Sequence, residues 1–311
     1  MESLIILGSG PAGLTAAIYA ARAGLSPLVV TGSLPGGLPT QLSAIENYPG
    51  FPQPKNAFEL AEDMRQQAEN LGARLHYGIA TELRLQPHGP HTVRLDDGSE
   101  LTCKALIVAV GSRHLELGLA SEKALQNRGV SYCAVCDGAL FRGQDVAVAG
   151  GAGDAPLIEA LHLARLSPRV HLVCRHETLR GTPALRQRIL DNPAIILHLN
   201  CAIAEIQDIR LGKVTAIVIR HKDSGERETV PCAAVFVAVG QAPNTAMLQG
   251  QLDLDPQGHI RLTSPHGTET SVPGVFAAGD CADPTYKQVV TAAATGCMAA
   301  LDAIRSLADK G

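Results

Sequence analysis

Leu4-Ile5-Ile6-Leu7-Gly8-Ser9-Gly10-Pro11-Ala12-Gly13 is the stretch that decides the fold. A short apolar run breaks on a loop that satisfies G-x-G-x-x-G. An Ala-rich helical stretch follows to Ala23, and Gly24 reads as its C-terminal stop. In such a turn Gly8 permits the tight bend, Gly10 lets a pyrophosphate approach the backbone, and Gly13 lets helix and strand pack closely. Amides at the helix N-terminus, opened here by Pro11 and Ala12, then face the phosphates and favour their charge. The next apolar run, Leu28 to Val30, completes a strand–loop–helix–strand unit. The alternative is a glycine turn with a purely structural role, but a loop that follows a strand and opens a helix points to nucleotide binding. The acidic ribose ligand expected about 20 residues on is missing, since the strand ends Val30-Thr31-Gly32.

Working outward, the same grammar restarts. Asp145 to Ala149 runs into Gly150-Gly151-Ala152-Gly153-Asp154-Ala155, followed by a helical stretch to Arg165 and an apolar run from Val170 to Val173. Each half also closes on one tetrapeptide, Val108-Ala109-Val110-Gly111 and Val237-Ala238-Val239-Gly240. This is a duplicated nucleotide-binding unit, with too few copies for a solenoid. Beyond the second copy come Pro273 to Asp280 and an Ala-rich helix from about Lys287 to Ala308, a tail that belongs to neither unit. Read as returning to complete the first domain, it gives an α/β chain with residues 1–114 and 246–311 in one domain and 115–245 inserted as a second.

A length of 311 residues suits two such domains. With 46% hydrophobic and 18% charged residues the composition is that of a globular α/β protein. A net charge of −4 gives no reason to expect a nucleic-acid or anionic-membrane surface. No apolar run reaches the roughly 18 residues of a membrane span, and Met1-Glu2-Ser3 does not open a signal peptide, so a cytoplasmic protein is expected.

Of the eight cysteines only Cys133 and Cys136 form a C-x-x-C. Half a zinc site would need further ligands, for which Cys174 and His176 are the candidates. Two buried structural thiols are a second reading. A redox pair is the favoured one, because this spacing can lower a thiol pKa and lets the sulfurs close reversibly. No metal is expected. Asp137 beside the pair is either a proton carrier for thiolate chemistry or a turn residue before Gly138.

With these parts in place the chain resembles the low-molecular-weight thioredoxin reductases over essentially its whole length. The resemblance lies in Gly8–Gly13, Glu46-Asn47-Tyr48-Pro49-Gly50, Cys133-Ala134-Val135-Cys136-Asp137-Gly138, Gly240–Thr245, Gly279-Asp280, Gln288 and Thr295–Asp302. It implies two Rossmann-like three-layer domains, the second inserted into the first, and a homodimer with FAD in the outer, discontinuous domain. It also implies a swivelling inserted domain that carries the C-x-x-C between the flavin and a thioredoxin-like protein disulfide. By position, Cys136 is the sulfur nearer the flavin, Cys133 attacks the protein disulfide and Asp137 is the acid/base. Asp280 is implied to hold the FAD ribityl chain, and Gln288 to start a helix whose N-terminus faces the flavin pyrimidine edge. Such a helix end would stabilise an anionic reduced flavin. Gly37, Asn47, Gly111, Gly279, Lys287 and Val289 complete the implied FAD set.

The second nucleotide site, made of Gly150, Gly151, Gly153, Asp154, Arg175 and Arg180, departs from the family pattern. Ala152 stands where the family has glycine, and Asp154 where it has Ser or Thr. The family's basic cluster for the NADPH 2′-phosphate appears as Cys174-Arg175-His176-Glu177-Thr178-Leu179-Arg180, with a mostly neutral His176 in place of an arginine. No acidic residue ends the strand at Val173-Cys174, so a switch to NADH has no support. Near the flavin, Gly36-Gly37-Leu38-Pro39 lacks a family glutamine. Weakened or absent NADPH use is therefore expected, with ferredoxin, a dithiol or a second flavin as the replacement. The alternative is that Arg175 and Arg180 suffice for NADPH.

Overall fold

In a computed structural model residues 1–42, 44–87 and 90–308 are described, and the chain divides into two compact units. One joins Met1–Arg113 to the segment from Ala242 onward; the other is His114–Gln241.

The first unit is built on a seven-stranded sheet. Its strand β1 (Glu2–Leu7) buries Leu4–Leu7 completely, as a strand covered on both faces must. Helix α1 (Pro11–Arg22) has proline in its first turn, where the missing N–H costs nothing. At its end Gly24 turns the chain at φ +83°. Strand β2 (Leu28–Val30) lies parallel to β1. A ribbon of β3 (Ala44–Ile45) and β4 (Lys55–Asn56) leads to α2 (Ala57–Asn70), whose first turn is capped by the Asn56 side chain accepting from Glu59 N at 3.1 Å. Strand β5 (Arg74–His76) extends the parallel edge, and β6 (Ala80–Arg84) and β7 (His91–Leu95) form an antiparallel arm. Strand β8 (Glu100–Val108) serves both parts: its first half pairs antiparallel with β7 and its second half runs parallel to β1.

From β9 (Ser112–His114) the chain enters the second unit, where α3 (Ala120–Ala124) and β10 (Val130–Ser131) precede the short α4 (Ala134–Asp137). Strand–helix alternation then resumes with β11 (Val146–Ala149), α5 (Asp154–Leu163), β12 (Val170–Val173), α6 (Pro183–Leu190) and β13 (Ile195–His198). A meander of β14 (Cys201–Ile206), β15 (Ala216–His221) and β16 (Arg227–Pro231) packs Ile203, Ile206, Ile217 and Ile219 onto one face of the parallel sheet. Strand β17 (Ala234–Val237) returns to the middle of that sheet, whose order is β10-β17-β11-β12-β13. The chain leaves by β18 (Gln241–Pro243), which pairs with β9. Strand β19 (Val275–Ala277) then takes its place beside the second half of β8, and α7 (Val289–Ala308) packs on α1.

The fold is thus α/β, with two Rossmann-like units in one chain. The orders β5-β2-β1-β8 and β13-β12-β11-β17 are the same arrangement twice. The repeated tetrapeptide has one task in both. A Cβ on Gly8 would stand 2.2 Å from the Ala109 carbonyl oxygen, and one on Gly150 would stand 2.9 Å from that of Ala238. The glycine opening each loop therefore lies under the alanine carbonyl of its own V-A-V-G.

Helix ends differ from the sequence expectation in three places, and in the first α1 stops at Arg22 rather than Ala23. Helix α5 stops at Leu163 rather than Arg165. Helix α7 starts at Val289, because Lys287 sits at φ +49°, a conformation no helix can include. Among the described residues no helix is long and apolar enough to cross a membrane.

Candidate active site

The glycines of the first loop divide by what surrounds them. Gly8 and Gly13 are required by the protein: a Cβ on Gly13 would stand 1.9 Å from Gly8 O. Gly10 is different, since its Cβ would meet only Gly37 Cα, at 3.7 Å. Gly37, at φ +74°, lies opposite, and together they leave a cradle floored by backbone. No side chain caps the first amides of α1, so Ala12 and Gly13 open that cradle as an anion site. These residues fit a dinucleotide pyrophosphate.

Around the same loop, Ser9 Oγ donates to Thr31 O at 2.9 Å and accepts from Gly36 N at 3.2 Å, tying the loop to Gly36-Gly37. Asp280 accepts from Ser112 Oγ at 2.9 Å. Burial pushes its carboxyl up, opposed by that hydrogen bond and by the Lys287 charge. Gly279, at φ +74°, precedes it, and its amide donates to Thr295 Oγ1 at 2.9 Å, which anchors it to α7. Gly111, at φ +63°, has open space where a Cβ would go. Asn47 Nδ2 donates to Gln288 Oε1 at 3.1 Å, so two residues 241 apart in sequence meet. Gln288 stands just ahead of α7 rather than in it, its carbonyl accepting from Ala292 N at 2.9 Å. Asp283, which the sequence reading passed over, shapes this entry by accepting from the amides of Thr285, Tyr286 and Lys287 at 2.8, 2.9 and 3.0 Å. Its signal was the Asp283-Pro284 dipeptide, which favours a turn.

In the second unit Cys133 and Cys136 are joined by a disulfide, which takes both sulfurs out of any zinc set. Both are half-buried at the start of α4, and Cys136 N donates to Cys133 Sγ at 3.2 Å. Asp137 is buried directly behind them, and Ser131 Oγ donates to its Oδ2 at 2.6 Å. Burial pushes the Asp137 carboxyl up, and the Ser131 hydrogen bond pulls it down. Val135, between the two cysteines in sequence, and Leu140, four residues after Cys136, are exposed apolar side chains.

The second Gly-rich loop ends on Gly153, at φ +152°, and α5 starts there with no side-chain cap. Gly151 is held by packing, since a Cβ would come 2.7 Å from Cys174 Sγ. Ala152 bridges to Arg180 along the backbone, and Arg180 N donates to Gly151 O at 3.0 Å. The Asp154 carboxylate is engaged within the unit, accepting from Thr182 N at 2.6 Å. Arg175 and Arg180 are joined by a cation that sequence reasoning missed. Lys222 Nζ donates to Arg175 O at 3.2 Å, and Lys222 N and Asn200 N link the β15–β16 turn to His176 through 2.9 Å bonds. Partial desolvation and the charges of Arg180, Lys222 and Arg175 push the His176 imidazole down. Glu159, on α5, was also missed: burial raises its carboxyl to about 7, and Oε2 has no hydrogen-bond partner.

Comparison with known proteins bears on both loops and on the disulfide. The sequence matches the pyridine nucleotide-disulphide oxidoreductase family over residues 2–296. It is 44% identical over 313 residues to a thioredoxin reductase of Escherichia coli O157:H7, covering 98% of this chain and 96% of that protein. It is 41% identical over 313 residues to NADPH-dependent thioredoxin reductase 3 of Arabidopsis thaliana, covering 99% of this chain and 58% of that longer protein. The fold superposes on thioredoxin reductase from Giardia duodenalis with a TM-score of 0.90 at 36% identity, covering 98% of both chains.

Proposed function

The chain belongs to the pyridine nucleotide-disulphide oxidoreductase family and is an FAD-dependent disulfide oxidoreductase, and from that premise we propose that it reduces a thioredoxin-like protein disulfide with electrons from NADPH. The observation that carries this reading is the half-buried Cys133–Cys136 disulfide with the buried Asp137 carboxyl behind it. When bound, FAD supplies the two-electron link between a hydride donor and a disulfide. Gly8, Gly10, Pro11, Ala12, Gly13 and Gly37 would cradle its pyrophosphate. Gly111, Gly279 and Asp280 would hold the ribityl chain, and Asn47, Lys287, Gln288 and Val289 the flavin edge.

The sulfurs divide the exchange. As a thiolate Cys133 attacks the protein disulfide, forming a mixed disulfide and releasing one partner thiolate. Cys136 then attacks the Cys133 sulfur, which re-forms the Cys133–Cys136 bond and frees the second. Asp137 supplies and recovers the proton these sulfurs need. Exposed Val135 and Leu140 offer the protein substrate an apolar footing beside Cys133. Lys222 supports NADPH as donor: with Arg175 and Arg180 it makes a third cation where His176 stays neutral. The second site is thus an altered NADPH site in which a distant lysine joins the two remaining arginines.

Two further parts of the reading have support. Helix α7 presents Val290, Ala294, Met298 and Leu301 to solvent along one face, which suits pairing with a second copy as a homodimer. The cysteines outside the pair are unbonded among the described residues, which suits the reducing cytoplasm.

The test is anaerobic. Flavin extracted from the purified holoenzyme should amount to one per chain, NADPH should bleach it, and a thioredoxin-like disulfide should then be reduced through many turnovers. Cys136→Ser should abolish that turnover. Lys222→Glu should raise the Michaelis constant for NADPH about tenfold, the ~1.4 kcal/mol of a lost charge-assisted contact, with kcat little changed. Two flavins per chain, or a flavin that NADPH leaves oxidised, would overturn NADPH as donor. A flavin bleached by a dithiol instead would make the protein a dithiol oxidase.

A further inference from the structure

We propose that Ser131 is a positioning residue for proton delivery at the Cys133–Cys136 pair, its hydroxyl holding the Asp137 carboxyl and the Cys133 backbone in one hydrogen-bonded unit whichever way Asp137 is protonated. The proposal rests on Asp137 being the acid/base group of the pair. Ser131 ends β10 and is buried. Its Oγ lies 2.6 Å from Asp137 Oδ2, 3.1 Å from Cys133 N and 3.4 Å from Cys133 O.

These three neighbours make the hydroxyl a two-way part. The Cys133 N–H can only donate, so Ser131 Oγ accepts from it in every state. The single hydroxyl proton has two acceptors within reach. When Asp137 is ionised the proton points at the carboxylate, as a charge-assisted bond. When Asp137 is protonated, its own O–H donates to Ser131 Oγ and the hydroxyl turns its proton toward the Cys133 carbonyl. A serine oxygen has two lone pairs and one proton, so both arrangements lie within its capacity. Alanine would leave the carboxylate without this donor, and a buried carboxyl so deprived holds its proton more tightly.

The surroundings leave this task to Ser131. The shift of Asp137 has two causes, burial that raises it and the Ser131 bond that lowers it. The titratable and charged side chains on the elements packed against α4 are Asp154, Glu159 and His162 of α5, Arg165 just past its end, and Arg142 beyond the 3-10 turn Gly138–Phe141. None of them enters the shift. During turnover two electrons from the flavoprotein's own activity open the Cys133–Cys136 bond and leave two sulfur anions. Asp137 gives its proton to one of them and becomes a carboxylate, and the Ser131 proton swings to that carboxylate. When the disulfide re-forms, the thiol proton returns to Asp137 and the hydroxyl swings back.

The test follows the Asp137 carboxyl in the oxidised holoenzyme by infrared spectroscopy across pH, with Asp137→Asn identifying its band. Partner-disulfide reduction is recorded in parallel against pH. In Ser131→Ala the carboxyl midpoint should move up by about one pH unit or more, the size of a lost hydrogen bond to a charged group. The alkaline limb of the rate should move up with it, because the protonated form is the donor. Ser131→Thr, which keeps the hydroxyl, should return both to their wild-type positions. A Ser131→Ala enzyme slowed equally at every pH, with the carboxyl midpoint unmoved, would overturn the proposal and leave Ser131 a packing residue. Asp137→Asn with a wild-type rate and limb would instead overturn the acid/base reading on which it stands.

Discussion

The native state binds the proton of Glu159 more tightly than the unfolded chain does, since burial raises that carboxyl from 4.5 to about 7. Between those values the folded protein holds a proton the unfolded chain has lost, so stability falls as pH rises through the window. The whole loss is at most about 4 kcal/mol, taking ~1.4 kcal/mol per unit. Glu159→Gln cannot ionise, so its melting temperature should gain on wild type between pH 5 and pH 8. Parallel melting curves for the two proteins across that range would refute it. At this scale the sequence shows what spacing can encode. Gly8, Gly10 and Gly13, and Cys133 with Cys136, announce themselves because a turn and a sulfur pair each need set intervals. Ser131 and Glu159 carry no such interval, being common residues whose importance comes from burial. Lys222 is 47 residues from Arg175, and only the meander brings them together.

Helices α1 and α7 meet through small residues. Ala292, Ala293, Gly296, Ala299, Ala300 and Ala303 form the buried face of α7. A Cβ on Gly296 would stand 2.1 Å from Ala12 O, in the first turn of α1. This contact and the open side of Gly10 make separable predictions. Gly296→Ala should force the helices apart and cost about 2 kcal/mol in denaturant unfolding, within the usual range for overpacking, with loss of bound flavin. Gly10→Ala should leave the unfolding of flavin-free protein nearly unchanged and still weaken flavin retention, since its methyl points into the cradle. Equal loss of stability in both would refute the distinction. The sequence announced α7 by its alanine content but not its first residue. That start is set by Lys287 at positive φ, which the Asp283 carboxylate supports by binding the Lys287 amide at 3.0 Å.

For the whole molecule, the duplication was legible because two units with the same strand order each open a glycine-rich loop on one glycine, Gly8 or Gly150, and close on the same tetrapeptide. The crossings between units lie at 113/114 and 241/242, where β9 and β18 pair. No residue type marks a crossing of that kind, so only its neighbourhood could be read. A homodimer built on α7 has a direct check. Leu301→Glu places a charge on the exposed apolar stripe and should halve the mass seen in sedimentation while the flavin spectrum persists. An unchanged mass would remove α7 from the interface. Strand β8 carries a last consequence, for the order in which the protein is made. Its second half waits for β19, which lies beyond the entire inserted unit in sequence. On the ribosome residues 114–241 have therefore all been synthesised while the first unit still lacks the strand beside the second half of β8 and the helix that covers α1. The part of the chain that starts first is the part completed last, and until then its unfinished sheet is what a chaperone would find.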